Sequence, residues 1–181
     1  MSITIKHVDK NALNIKELSG YLKNLNEEYG LISKMQPVYE KSSNKNVHYA
    51  INDQFLKFWF RFIYKYTHII EAGGNNKLKA IAERDFTTVS GKSLESYFNE
   101  VLKKSGAYTR LGYWHDRKGE NEIDIIAEDE LDNKIEFIEV KRQAKNFDEN
   151  VLKAKSELFF KVVGTFKGYE IIYRGVSIED M

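Results

Sequence analysis

The stretch ENEIDIIAEDELDNKIEFIEVKRQ, residues 120–143, has acids and a lysine whose types and spacing suit metal-assisted hydrolysis. Asp124 lies within a first apolar run, and Glu139 and Lys141 end a second one. A charge at the edge of a buried strand is costly unless a partner compensates for it. Mg²⁺ is such a partner, because it is a hard cation that takes oxygen ligands and commonly rests on one or two carboxylates.

Alternation along a β-strand predicts which of these side chains share a face. One face of the first strand is predicted to carry Glu122, Asp124 and Ile126. Its opposite face is predicted to carry Ile123, Ile125 and Ala127. One face of the second strand is predicted to carry Ile135, Phe137, Glu139 and Lys141. If the two strands pair as a hairpin, Asp124 lies beside Glu139 and Lys141.

A further acid comes from a helix that precedes these strands. The helix is predicted to begin near Ser93 and to end at Gly106, with an apolar stripe formed by Leu94, Tyr97, Phe98, Val101 and Leu102. At the angular step of an ideal helix, Glu95 falls about 20° beyond Leu102, at the flank of this stripe. We therefore expect Glu95 to lean toward the same acids.

The segment VSGKS, residues 89–93, ends like a phosphate-binding loop but does not begin like one. Phe86 stands where the first glycine is required, and no strand leads into the segment. We interpret it as the start of the helix, with Ser90 or Ser93 as the N-cap. ATP binding by this chain is not expected.

The pattern of the second half predicts an α+β fold with the order helix, three strands, helix, strand. The strands are predicted over 107–115, 122–128, 134–142 and 169–175, and the second helix over 148–163. The two acid-bearing strands and the first helix therefore belong to one unit, in which a site can form.

The first half predicts a different unit. A helix over 15–29 is followed by two strands around the polar turn 42–46, and Pro37 confines its strand to a sheet edge. A helix followed by a basic-tipped hairpin is typical of the second half of a winged-helix domain. Lysines near this tip are candidates for contacts with DNA phosphates, which would make binding salt-dependent. They are Lys34, Lys41 and Lys45.

The aromatic run FLKFWFRFIYKY, residues 55–66, has apolar residues on every side of a predicted helix. Aromatic rings can stack on nucleic-acid bases, which is one interpretation. Burial is the interpretation we favour, because large aromatic side chains usually lie in protein interiors.

Composition excludes several classes of protein. The chain has 181 residues and a net charge of +1, so it is not a polycation that coats nucleic acid as a whole. It has no cysteine, which excludes disulfides and thiolate metal sites and fits the cytoplasm. The first residues lack the apolar run of a signal peptide, and we expect no membrane association.

An acid on a first helix, an Asp on a second strand and Glu-x-Lys on a third resemble the PD-(D/E)xK nuclease superfamily, over residues 93–175. The resemblance implies a restriction-endonuclease-like αβββαβ core with a mixed sheet and a catalytic set of Lys141, Glu95, Asp124 and Glu139. It implies Mg²⁺ or Mn²⁺ held by Asp124, Glu139 and the Val140 carbonyl, with Lys141 orienting or activating water. Ile123 stands where the motif has proline, so Glu122 or Glu120 is an alternative acid. Gln143 is a further candidate for phosphate contact.

The run from Tyr49 through the aromatic segment to Gly73 is similar to the linker between the winged helix and nuclease-like domain of archaeal-type ATPases, a group of AAA-related proteins of archaea and bacteria. This resemblance implies a partial winged helix over 1–52, a linker over 53–90 and a nuclease-like domain over 91–181. It also implies DNA as partner, an ATPase module missing from this chain, and a homo-oligomer as one assembly. The alternative is a non-catalytic DNA-binding, regulatory or oligomerisation module of such an ATPase.

Overall fold

The computed structural model describes residues 2–4, 15–35, 37–39, 48–164 and 166–181. The chain forms two compact units, one of Met1–Gln36 with Lys41–Phe86 and one of Pro37–Glu40 with Thr87–Met181. In the part of the chain that these ranges cover, no helix is both long and apolar enough to span a bilayer.

The first unit contains a helix and a small antiparallel sheet. Helix α1 spans Ile15–Glu27, and Gly30 follows it with φ of 61°, a left-handed conformation that glycine adopts without strain. Three strands form the sheet in the order β1-β3-β2. Their bounds are Ser2–Thr4 for β1, Ile32–Met35 for β2 and His48–Ile51 for β3. The predicted pairing of β2 with β3 is confirmed, and β1 is an addition that the sequence did not indicate.

The predicted turn over 42–46 lies outside the described residues, and so do Lys41 and Lys45. Lys34 lies on β2 and is exposed. Pro37 was expected in an edge strand, which is wrong, because β2 ends at Met35 and Pro37 is buried outside any strand. In the second unit the adjacent Val38 donates its N–H to the Tyr113 carbonyl at 2.9 Å.

The aromatic segment is not one regular helix. Helix α2 spans Gln54–Phe58, a π-helical turn spans Trp59–Ile63, a 3₁₀ turn spans Tyr64–Tyr66, and α3 spans Thr67–Glu71. Of its aromatic residues, Phe62 is buried, whereas five are 40–66% exposed. These five are Phe55, Phe58, Trp59, Phe60 and Tyr64. The burial predicted for this segment is therefore wrong for most of its rings.

Helix α4 spans Asn75–Ser105 and passes through VSGKS without interruption. Neither serine caps it. Ser90 Oγ donates to the Thr87 carbonyl at 3.2 Å, and Ser93 Oγ donates to the Val89 carbonyl at 3.2 Å. These are bonds to the preceding turn of a continuing helix, so a helix start at this segment is wrong.

The second unit is built on a four-stranded sheet in the order β4-β5-β6-β7. The strands span Arg110–His115, Glu122–Asp129, Lys134–Val140 and Glu170–Val176. The first two pairs are antiparallel, and β6 runs parallel to β7 through helix α5, Glu149–Val163. The predicted mixed sheet and the predicted order of elements are thus present.

One helix covers each face of this sheet. Leu94 and Phe98 of α4 pack on a cluster that contains Ile125 and Ile138. The other face is covered by α5, whose core residues pack on Ile123, Ile126 and Phe137. The acids at issue lie where β5 and β6 leave this apolar region.

Candidate functional site

Strand β5 contains an irregularity at Asp124. Gly112 of β4 is opposite Ile126, and Trp114 is opposite Ile123, so β5 takes three steps where β4 takes two. A strand with one extra residue is bulged, and a bulge redirects side chains. Ile123 accordingly packs on the α5 side of the sheet with Ile126, whereas Ile125 packs on the α4 side. The strict alternation predicted for this strand is wrong at Asp124.

Asp124 is tied to the end of β6. Its Oδ2 accepts a hydrogen bond from the Val140 N–H at 2.8 Å. Regular pairing of β5 with β6 reaches Ile125 and Ile138, so the Asp124 carboxylate takes a position where a strand backbone would otherwise pair. Burial raises the pKa of Asp124; the Val140 N–H lowers it, and the Glu139 charge raises it further.

Glu139 lies at the same end of the sheet and is 7% exposed. The ammonium of Lys141 donates to its Oε1 at 2.7 Å, and Lys155 donates to Oε1 and Oε2 at 2.9 and 3.0 Å. Two lysines therefore compensate for one buried carboxylate, as a buried charge requires.

Lys155 is a site residue that the sequence interpretation missed. It lies on α5 three residues after Leu152 and four before Phe159, both of which are fully buried. Residues at this spacing share one face of a helix. A lysine on an apolar helical stripe was the signal that could have identified it.

Glu95 lies on α4 beside a second lysine. Lys92 Nζ is 2.8 Å from Glu95 Oε2 and 3.5 Å from Glu122 Oε1. Burial raises the pKa of Glu95 to about 7; Lys92 opposes this shift, and the charges of Asp124 and Glu122 add to it. Glu95 is thus close enough to Asp124 for the two carboxylates to interact electrostatically. Lys92 lies between Glu95 and Glu122 and pairs with both.

The predicted residues thus fall into two groups at one end of the sheet. Among the residues that the structure describes, no set of three or more His, Cys, Asp or Glu side chains is arranged as a metal-binding group. The chemistry of the candidate ligands nevertheless fits a hard cation, because each of them is an oxygen atom. Four carboxylates and three lysine ammonium groups lie here. These groups are Glu95, Glu122, Asp124, Glu139, Lys92, Lys141 and Lys155.

His115 and the alternative acid Glu120 lie at the turn before β5, where the contacts are local. His115 Nδ1 lies 2.8 Å from the carbonyl oxygen of Asp116. The Asp116 carboxylate accepts from the N–H groups of Lys118 and Glu120, which closes the turn before β5. Glu120 lies in this exposed turn, so among the alternative acids Glu122 is the one that the structure pairs with Lys92.

Two further acids, Glu128 and Glu136, are each 5% exposed on β5 and β6. Glu128 pairs with Tyr39 and, at 3.1 Å, with Arg110. Glu136 accepts from Tyr108 at 3.0 Å and pairs with Lys134 at 3.0 Å and Arg174 at 3.2 Å. Each carboxylate is compensated within the fold, so we assign both a structural role.

A cleft of about 530 Å³ adjoins Lys141. It is lined by Thr87, Gly91, Val140, Lys141, Arg142, Gln143, Asn146 and Ile178. Gln143, which the sequence singled out, thus lies beside Lys141 on a concave surface.

Comparison with known proteins assigns the chain to a family. The family model described as archaea bacterial proteins of unknown function matches residues 59–153, more than half of the chain. An uncharacterized protein of Methanocaldococcus jannaschii is 33% identical over an alignment of 159 positions, which covers 84% of this chain and 35% of that protein. The chain therefore spans about a third of the length of this relative. No solved structure matches the chain. The chain belongs to DUF234, the family of archaeal and bacterial proteins of unknown function.

Proposed function

We propose that the second unit is a restriction-endonuclease-like domain that hydrolyses phosphodiester bonds of DNA with a divalent metal ion. The observation that carries this proposal is the meeting of Asp124, Glu139 and Lys141 at one end of the sheet. Asp124 is fixed by the Val140 N–H at 2.8 Å, and Glu139 is fixed by Lys141 at 2.7 Å. Phosphodiester hydrolysis needs stabilised charge on phosphate oxygens and an activated water, and this set of groups suits both needs.

In this proposal Asp124, Glu139 and the Val140 carbonyl hold Mg²⁺ or Mn²⁺. Bound there, the ion would stabilise negative charge on the phosphate and make a bound water more acidic. Lys141 holds the attacking water by donating a hydrogen bond and stabilises the hydroxide that forms. Lys155 also orients Glu139, because its ammonium donates to the two carboxylate oxygens at 2.9 and 3.0 Å.

Glu95 is suited to proton transfer in the same site. A general base works best when its pKa is near the operating pH. Burial raises the pKa of Glu95 to about 7, so near neutral pH its carboxylate can accept a proton and its acid form can donate one. We propose that it assists the water held by Lys141.

The domain context follows the resemblance to archaeal-type ATPases. We propose that the full protein joins an ATPase module to this chain in the cytoplasm and assembles as a homo-oligomer. Lys34, Lys41, Lys45 and Gln143 would then contact DNA phosphates, so DNA binding would weaken as salt concentration rises.

The test is cleavage of labelled duplex, single-stranded and branched DNA with Mg²⁺ or Mn²⁺. We expect Lys141→Ala and Asp124→Asn each to lower the cleavage rate by about 10²-fold or more. The control is Lys145→Ala, which removes an exposed lysine from the segment between β6 and α5. Equal cleavage by the Lys141→Ala variant and the parent protein would refute catalysis at this site.

The alternative is a non-catalytic DNA-binding module, and the exposed aromatic residues of the first unit favour it. Phe55 is 65% and Tyr64 66% exposed, and Lys57 and Lys65 alternate with these rings along the chain. Exposed rings with basic residues can bind single-stranded nucleic acid by stacking and charge. Salt-dependent binding of single-stranded DNA that Phe55→Ala and Tyr64→Ala weaken, without metal-dependent cleavage, would select this alternative.

A further inference from the structure

The cleft beside Lys141 has a lining that favours an anion. Two of its side chains, Lys141 and Arg142, are cationic, and Gln143 and Asn146 add amide donors. Of the described residues that line it, none is acidic. Its volume of about 530 Å³ lies in the range of pockets that hold small organic ligands.

The cationic side of the cleft is held in place by both neighbouring elements. The Lys141 N–H donates to the Val176 carbonyl at 2.8 Å, which ties the chain after β6 to β7. Arg142 Nη1 donates to Thr87 Oγ1 of α4 at 3.2 Å. A binding surface that is already ordered loses little entropy when a ligand binds.

Phe147 fixes the far end of the segment that joins β6 to α5. Its ring lies so close to Gly175 of β7 that a Cβ atom at residue 175 would overlap the ring. The ring therefore needs a glycine beneath it. This contact holds the short 3₁₀ turn Ala144–Asn146, which carries Asn146 into the cleft.

Gly91 keeps the cleft open from the side of α4. A glycine inside a helix costs roughly 0.5–1 kcal/mol relative to alanine. A Cβ atom at residue 91 would meet no atom beyond its own turns of helix within 4 Å, so α4 packing does not require a glycine at this position. Since Gly91 lines the cleft, its missing side chain leaves space that any larger residue would occupy.

We propose that this cleft binds one nucleotide of a nucleic-acid strand, adjacent to the phosphodiester presented to Lys141. Arg142 binds the phosphate, the amides of Gln143 and Asn146 hydrogen-bond to the sugar or base, and Val140 and Ile178 supply the apolar wall. The identification of the ligand as part of a strand rests on the proposed nuclease function. The proposed binding of a phosphate monoester rests only on the residues that line the cleft.

The experiment is titration of the whole chain with thymidine 5′-monophosphate, in EDTA and without divalent metal, followed by NMR chemical shifts. We expect saturable binding by the parent protein, and at least about tenfold weaker binding by Gly91→Leu and by Arg142→Gln. Gly91→Leu fills the cleft and suits the helix, so its melting temperature should equal or exceed that of the parent. The matched control is Gly20→Leu, because Gly20 lies in helix α1 and a Cβ there also meets nothing within 4 Å.

The ligand source and the nuclease proposal are separated by parallel measurements. Inorganic phosphate tests for a simple anion site, and a short single-stranded oligonucleotide that binds more tightly than the mononucleotide supports a strand as ligand. One outcome would be a protein that cleaves no DNA but binds the mononucleotide, with binding lost in Gly91→Leu. This result would support nucleotide binding in the cleft and refute the proposed nuclease activity. Unchanged mononucleotide binding by Gly91→Leu overturns the cleft, whether or not the parent cleaves DNA. Absence of binding by the parent overturns it too.

Discussion

Glu139 accepts hydrogen bonds from two lysines, one directly after β6 and one on α5. Lys141 follows it on the chain, whereas Lys155 reaches it from α5 with a side chain that is 19% exposed. Removal of one partner from a buried charge leaves part of its desolvation cost uncompensated. The two lysines should therefore matter for stability in addition to any catalytic role.

We expect Lys155→Met to lower the free energy of unfolding by about 1–3 kcal/mol, because Glu139 then loses one of the two ammonium groups that compensate for its buried charge. The measurement is urea denaturation near neutral pH. Lys153→Met is the matched control on the same helix; it removes a pair with Glu149 whose side chains are 47% and 51% exposed. That change should cost less than about 0.5 kcal/mol.

A second substitution tests the cause of this loss. Glu139→Gln removes the buried charge, so Lys155→Met should cost less in that background than in the parent. An equal cost in both backgrounds would mean that Lys155 stabilises the fold by packing alone.

Glu95 gives a pH dependence whose sign is fixed by its raised pKa. The folded protein holds this proton up to a pH of about 7, whereas the ordinary pKa is 4.5. Between these two values the folded state binds more protons than the unfolded state. The contribution of Glu95 to stability is therefore complete below the lower value and is lost as the pH rises through the higher one.

We expect Glu95→Gln, which mimics the protonated acid, to reduce the loss of stability that the metal-free protein shows as the pH rises. At pH 8 the variant should be more stable than the parent by about 1–3 kcal/mol, and at pH 4 the two should be similar. Denaturation in EDTA across this range is the measurement. Glu100→Gln, at a 71% exposed side chain of the same helix, should leave the pH profile unchanged. Parallel profiles for Glu95→Gln and the parent would contradict the raised pKa.

At the scale of elements, the sheet was more predictable than the helices. Strands β4 to β7 and helix α5 were predicted within a few residues, because β-branched and aromatic runs between polar turns are strong local signals. Helix α4 was not: residues 75–90 do carry apolar side chains at helical spacing, but a glycine and two serines in VSGKS suggested a helix start there. Helical hydrogen bonds continue through such residues when no proline interrupts them.

The aromatic segment around the π-helical turn gives a spectroscopic prediction. The chain has two tryptophans, and Trp59 is 41% exposed whereas Trp114 is 4% exposed. We expect Trp59→Phe to leave a blue-shifted emission that acrylamide quenches weakly, because the remaining indole is buried. Trp114→Phe should leave emission that acrylamide quenches strongly. Similar quenching of the two variants would mean that the aromatic segment is covered in solution.

At the scale of the whole molecule, the proposed metal couples the site to global stability. A ligand that binds only the folded state stabilises it by about 2.7 kcal/mol at one hundred times its dissociation constant. For a chain of this size such a gain corresponds to a melting temperature about 5–10 °C higher. The coupling can be measured without any substrate.

We expect Mn²⁺ to raise the melting temperature of the parent protein by several degrees and to leave that of Asp124→Asn almost unchanged. The control is Asp132→Asn, which alters an exposed acid in the turn between β5 and β6. It should respond to Mn²⁺ as the parent does. Equal shifts for Asp124→Asn and the parent would place metal binding elsewhere.

The sequence alone predicted the order of elements in the second unit and placed Asp124, Glu139 and Lys141 near strand ends. It did so because hydrophobic periodicity and turn residues act locally. The folded structure was needed to reveal the bulge at Asp124, the approach of Lys155 and Lys92 to the acids, and the exposure of the aromatic segment. Contacts of this kind join residues that are far apart along the chain. Local sequence patterns do not predict them, because they depend on how the helices and strands pack together.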